Sequence, residues 1–149
     1  MDSNMEIVRK FKDEKGVSAV EFAIVLPLLI LLIFGGVEFS VLLYDKAVIT
    51  NASREGARAA IVFSDPRLSD AMIAGVVSNY CSDHLITFKD SAGITTSITP
   101  AWPARAISSS GDLLRVTVQY HYDFLVVPAF IADLTGGIDL VAETAMRME

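Results

Sequence analysis

The chain is short of almost everything that catalysis or disulfide bonding requires. It has one cysteine, two histidines and one tryptophan among 149 residues. A lone Cys81 excludes an intrachain disulfide framework, and His84 and His121 match no metal-ligand spacing of a known type. There is no glycine-rich phosphate loop, no nucleophile elbow, and no paired-carboxylate site outside the apolar region. Basic charge is scarce as well. The formal net charge is −6, and residues 45–149 carry eight basic and twelve acidic side chains. A nucleic-acid binder would show a basic stripe, so that class of partner is excluded. Internal repeats and low-complexity tracts are absent. The most informative absence is of charge itself, because nothing from Phe22 to Val37 is ionisable.

That uncharged stretch belongs to a longer apolar segment. From Phe22 to Tyr44 there are about 23 residues, enough to cross roughly 30 Å of hydrocarbon. A cleaved secretory signal would have a shorter apolar core and a small-residue exit. Here Asp45, Lys46, Ala47 and Val48 follow instead, and residues 17–44 read as a retained transmembrane helix. Residues 1–16 form a charged leader with Arg9, Lys10, Lys12 and Lys15, which places the amino terminus in the cytoplasm and the bulk of the chain outside. The leader ends at Gly16. Five residues later Glu21 sits at the lip of the span, where an ionised carboxylate is expensive unless paired. Cleavage after Gly16 would give Val17 a charged amine, one helical turn from Glu21. Processing would then create the counter-charge.

Beyond the membrane the helical pattern continues. Residues 45–63 lack proline and have Gly56 as their only glycine. Apolar and charged faces alternate there at helical spacing, and Asp65 with Pro66 supplies a stop. Residues 17–63 would form one rod of roughly 70 Å, half in lipid and half under a small outer domain. A second helix is expected from Leu68, Met72, Ile73, Val76, Val77 and Tyr80, which share one face. The period then changes to two. Short strands are expected at residues 85–88 and 94–99, a loop at 100–111 carrying Trp102, and the clearest strand where Leu114, Val116, Val118, Tyr120, Tyr122 and Phe124 alternate with polar residues. A last strand follows Gly136 and Gly137, over residues 138–148. The fold class is α+β: a long N-terminal transmembrane helix extending into a small domain, residues 45–149, with an antiparallel sheet.

Individual residues admit sharp and bland readings. Pro27 lies within the span as a kink point used during extraction, or as an ordinary membrane proline. Gly35 and Gly36 offer a close-packing surface for a neighbouring helix, or are simply the small residues common in spans. Glu38, about five turns beyond Glu21, either acts in assembly or snorkels to the interface. Arg54, Glu55 and Arg58 form a solvated face or contact the sheet or a partner. The run Cys81, Ser82, Asp83, His84 resembles a catalytic cluster only on paper, since triads converge from separated segments. Cys81 reads better as a half-buried small hydrophobe. His121 and Asp123 read as strand surface rather than metal ligands. Residues 125–131, strongly apolar but containing Pro128, read as a buried cover of the sheet, with an exposed partner patch as the alternative.

The order of these features resembles one family. Gly16 through Glu21 to Pro27, then Glu38 with Phe39, then Asn51, Arg54, Glu55, Gly56 and Arg58 look like the TadE-like family, pseudopilins of the tight-adherence (Tad/Flp) type IV pilus system. Residues 114–120, Pro128 and the stretch from Thr144 to Arg147 fit the closing strands. The resemblance implies a pilin-like domain and a chain cut by a prepilin peptidase between Gly16 and Val17. It departs from typical type IV pilins at Val17, where phenylalanine is usual. It also implies that Glu21 pairs with a terminal amine in a helical bundle and that the chain is a minor component that primes or caps the fibre. The implied partners are the peptidase, other pseudopilins and pilus subunits, the inner-membrane assembly platform and membrane lipid. The implied location is the bacterial inner membrane, single-pass, with incorporation into the pilus. No catalytic residue, metal or cofactor is expected. The rival readings are an uncleaved single-span envelope protein with a binding or scaffold domain and, behind it, a tethered hydrolase using Cys81 or His121.

Overall fold

Helix α1 runs without interruption from Ser3 to Ile61 in the computed structural model, which describes residues 3–62, 67–87, 93–101, 103–124 and 136–148. It starts earlier than the rod expected from the span, because the leader has neither glycine nor proline before Gly16 and helix propagates cheaply into such sequence. Pro27 lies inside α1 and does not end it. Two compact units divide the chain, Met1–Val37 and Glu38–Glu149.

The first unit is helix alone. From residue 16 to residue 37 nearly every side chain is exposed, and the one candidate membrane span of the described residues, Gly16–Ile61, includes them. A helix that is apolar all round and buries nothing in its own chain needs an apolar surrounding.

The second unit packs two helices on a sheet. Helix α2 spans Asp70–His84, and its N-cap Ser69 accepts a hydrogen bond from the Met72 amide at 3.4 Å. Strands β1 (Ile94–Thr99), β2 (Leu113–Tyr122) and β3 (Ile138–Arg147) form an antiparallel sheet in the order β1-β2-β3. The register pairs Ile94 with Tyr120 and Thr99 with Arg115 on one side of β2. On the other side Leu113 pairs with Arg147 and Tyr122 with Ile138. Along β2 the expected alternation is realised: Leu114, Val116, Val118, Tyr120 and Tyr122 are buried and the residues between them are exposed or half-buried. Each such burial contributes about 1.5–3 kcal/mol before the entropy of ordering is subtracted. Ile49, Ala52, Ala57 and Ala60 of α1 and Ile73, Val77 and Cys81 of α2 complete the core.

Gly56 permits the approach of α1 to α2. A Cβ there would stand 2.6 Å from Val77 Cγ2, well inside contact distance. The α2 stripe also differs from expectation. Met72 is exposed, and Cys81 extends the Ile73–Val77 row by one more turn, fully buried rather than half-buried.

Three other expectations differ or fall elsewhere. Residues 85–87 are not a strand: the Leu85 amide caps α2 on Cys81 O, and the Ile86 amide is taken by a side chain. The 100–111 loop contains a short 3-10 helix, Ala104–Ile107, with Arg105 fully buried. The Asp65–Pro66 stop, Phe88, Trp102 and the apolar stretch 125–131 lie outside the described residues.

Candidate functional site

In the first unit the candidate residues share one property, which is openness. Gly16, Val17, Glu21 and Pro27 are exposed, and a Cβ on Gly16, Gly35 or Gly36 would meet nothing within 4 Å. The span is therefore free to pack against lipid or another helix on any side. Glu21 projects from a surface otherwise formed by Val17, Val20, Phe22, Ile24, Val25 and Leu28. A carboxylate displayed there is costly in hydrocarbon unless it is paired.

In the second unit the site residues are enclosed. Glu38 is 4 % exposed, and Tyr122 Oη donates to its Oε1 at 2.5 Å. Of the two readings of Glu38, snorkelling is therefore wrong: its carboxylate turns into the protein instead of outward to the interface. Two turns later Asp45 is fully buried; its Oδ1 accepts from the Ile86 amide at 3.0 Å, and its Oδ2 has no hydrogen-bond partner among the described residues. Burial raises the Asp45 carboxyl above the usual carboxylate range, and the Ile86 hydrogen bond offsets part of that rise. Burial, with Glu38 beside it, likewise raises the Tyr122 phenol.

The tempting Cys81 cluster comes apart in the structure. Cys81 is buried, and desolvation with the nearby Asp45 carboxylate pushes its thiol up to about 11, the opposite of an activated nucleophile. His84 turns back to bond Tyr80 O at 2.8 Å and stacks on the Tyr80 ring. His121 sits across from Asp139 in the register, with Nδ1 2.6 Å from the Asp139 carboxylate and Nε2 3.9 Å from Asp123. The Asp139 hydrogen bond raises the His121 pKa above its ordinary value. No group of three metal-ligating side chains is found among the described residues.

Arg58 pairs with Glu55 at 3.0 Å on the exposed side of α1, and Arg54 is exposed too, so this trio does not reach the sheet. It borders a shallow apolar groove of about 430 Å³ lined by Glu55, Arg58, Ala59, Val62 and Val76. Arg105, by contrast, lies within the segment expected to be a loop. Its Nη2 donates to Leu68 O at 2.6 Å and its Nη1 lies 2.5 Å from Asp70 Oδ1, holding the start of α2. That ion pair lacks hydrogen-bond alignment, so its attraction is charge on charge.

An exposed apolar helix followed by a small helix and a three-stranded antiparallel sheet defines a helix-anchored α+β protein, consistent with a single pass through a membrane. Residues 16–58 match the family model described as TadE-like protein. Over that segment, less than half of the chain, the sequence is similar to that family. No curated protein and no solved structure matches the chain.

Proposed function

We propose that the protein is a minor pseudopilin of a Tad/Flp pilus, cut after Gly16 by a prepilin peptidase and acting to prime or cap the fibre. The observation that carries this reading is the start of the TadE-like segment at Gly16 itself, with an exposed Glu21 five residues on. Gly16 also lies within α1, and glycine is the residue at which a helix unwinds at least cost short of proline. A peptidase that needs an extended bond is served there. The Val17 amine then meets Glu21 of a neighbouring subunit and fixes the axial register of the bundle, a well-attested use of a buried polar pair. In this reading the protein is not an enzyme. It resides in the inner membrane with the second unit outside, and its partners are the peptidase, sister pseudopilins, pilus subunits and the assembly platform.

The test is intact mass and amino-terminal sequence of the membrane-extracted protein, with and without a co-expressed prepilin peptidase. A terminus at Val17 that appears only with the peptidase supports the reading. A chain still beginning at Met1 in both samples removes the amine that Glu21 requires and leaves the uncleaved envelope anchor. Glu21→Gln in the processed protein is expected to abolish recovery in the sheared pilus fraction while leaving the second unit folded.

A further inference from the structure

The end of the sheet from which the chain leaves β2 and returns into β3 is built around one ring. His121 lies in β2 with Asp123 just past it, and Gly136 and Gly137 lie just before β3, which holds Asp139. Residues 125–135 between them lie outside the described residues. The last register pair joins Tyr122 to Ile138, and the pair next to it sets His121 opposite Asp139. Gly137, at φ +83°, brings the returning chain against the imidazole. A Cβ there would stand 2.6 Å from His121 Nε2 and 2.8 Å from Tyr122 O, so only glycine leaves the ring its seat.

What surrounds the ring is of one kind. Nδ1 lies 2.6 Å from an Asp139 carboxylate oxygen, Nε2 lies 3.9 Å from Asp123, and the ring also donates to the Gly136 carbonyl. The charged groups that face it, from β3 and from the chain beyond β2, are both acids. A neutral imidazole has one N–H and one lone pair, so it donates on one side only and turns the lone pair toward an oxygen on the other. The imidazolium donates from both nitrogens and carries a charge that both carboxylates attract. One proton therefore decides whether both ends of the connection are held or only one. The same partners, Asp139 first, raise the His121 pKa.

We infer that His121 is a proton-operated clasp at the root of the β2–β3 connection. Charged, it ties Asp123 on the outgoing side to Gly136 and Asp139 on the returning side. Neutral, it releases one side, and the Tyr122–Ile138 pair opens locally more often. Tyr122 of that pair also holds Glu38, so the clasp steadies the contact between the sheet and α1. The device lies wholly in the second unit and stands whether or not the chain is cut after Gly16.

The test is amide hydrogen exchange by NMR on the full-length chain in detergent micelles. It is run from about pH 5.5 to about pH 8.5, the range across which a histidine with acidic neighbours titrates. Rates are divided by the intrinsic exchange rate at each pH. The Tyr122 and Ile138 amides report the clasped end. The Met148 amide, bonded to Asp112 O at 2.8 Å, reports the other end of the same two strands. Protection at Tyr122 and Ile138 is expected to fall several-fold as pH rises, with the midpoint of the His121 ring titration, while Met148 is unchanged. His121→Gln, which no proton can charge, is expected to show the low value at every pH, and Asp139→Asn a smaller fall at a lower midpoint. Protection that stays flat with pH in the unsubstituted chain would overturn the inference. A midpoint away from that of the ring, a parallel fall at Met148, or a pH dependence that survives in His121→Gln would overturn it too. If a variant fails to fold, the unsubstituted chain decides by itself, through the match of the two midpoints.

Discussion

Residues 16–37 and 38–61 belong to the same helix yet use it in opposite ways. In the first stretch no side chain is buried, and a Cβ on any of its three glycines would meet nothing within 4 Å. In the second, Glu38, Asp45, Ile49, Ala52, Gly56 and Ala60 form a buried stripe under the sheet and α2. The first stretch buries no side chain against its own chain, so uniform apolarity serves it better than a pattern. The second meets its partner within its own chain, so small residues line its inner face and bring the backbones close. A glycine accordingly means different things at positions 36 and 56.

The comparison can be broken from either side. The largest stability effect is expected at the enclosed end. Asp70→Asn leaves the fully buried Arg105 guanidinium without its counter-charge, and loss of about 3 kcal/mol is expected. Urea denaturation of the detergent-solubilised protein, followed by near-ultraviolet circular dichroism, measures it; an unchanged midpoint would show that the pair contributes nothing. Gly56→Ala comes next, at about 2 kcal/mol, because the new methyl must displace Val77. Its counterpart Gly36→Ala meets no atom and is expected to leave the same midpoint unmoved, or to raise it slightly through helix propensity. Equal losses at the two glycines would erase the distinction drawn above.

Tyr122→Phe is milder, with about 1 kcal/mol expected for removing one buried hydrogen bond to Glu38 while keeping the ring. The smallest effect is at His121. Its partnership with Asp139 raises its pKa in the folded state, so the contribution is fully present below the unfolded value of about 6.5 and is lost as pH rises through the higher folded value. A proton NMR titration of His121 is expected to show a midpoint above 6.5 that falls in Asp139→Asn. A midpoint insensitive to Asp139 would dissolve the pair as an electrostatic unit.

Much of this was legible from residue order alone. Strand β2 announced itself by strict alternation, and the apolar span by its length. Helix α2 was legible as a helix but not in its facing, since Met72 and Val76 make a row as apolar as Ile73 and Val77, and only packing against Gly56 decides between them. Residues 85–87 of the strand expected at 85–88 are irregular because Asp45 claims the Ile86 amide, a contact across 41 positions that no local pattern encodes. Arg105 stands between two alanines in a stretch without periodicity, and nothing near it signals that its partners lie in residues 68–70. Among the candidate site residues, the exposure of Glu21 followed from the span. The burial of Glu38 did not, because its partner is a tyrosine on a strand that local reasoning treats separately.

The distance along the chain between Glu38 and Tyr122 also sets an order in time. Their hydrogen bond closes a loop of 84 residues, whereas α2 and the β2–β3 pairing close far shorter ones. Loop-closure entropy grows with length, and contacts of high sequence separation form late. A chain whose sheet has not yet formed therefore carries Glu38 without its cover from Tyr122. During that interval a chain not yet folded is chemically distinguishable from a finished one, by a carboxyl group that the finished one has put away.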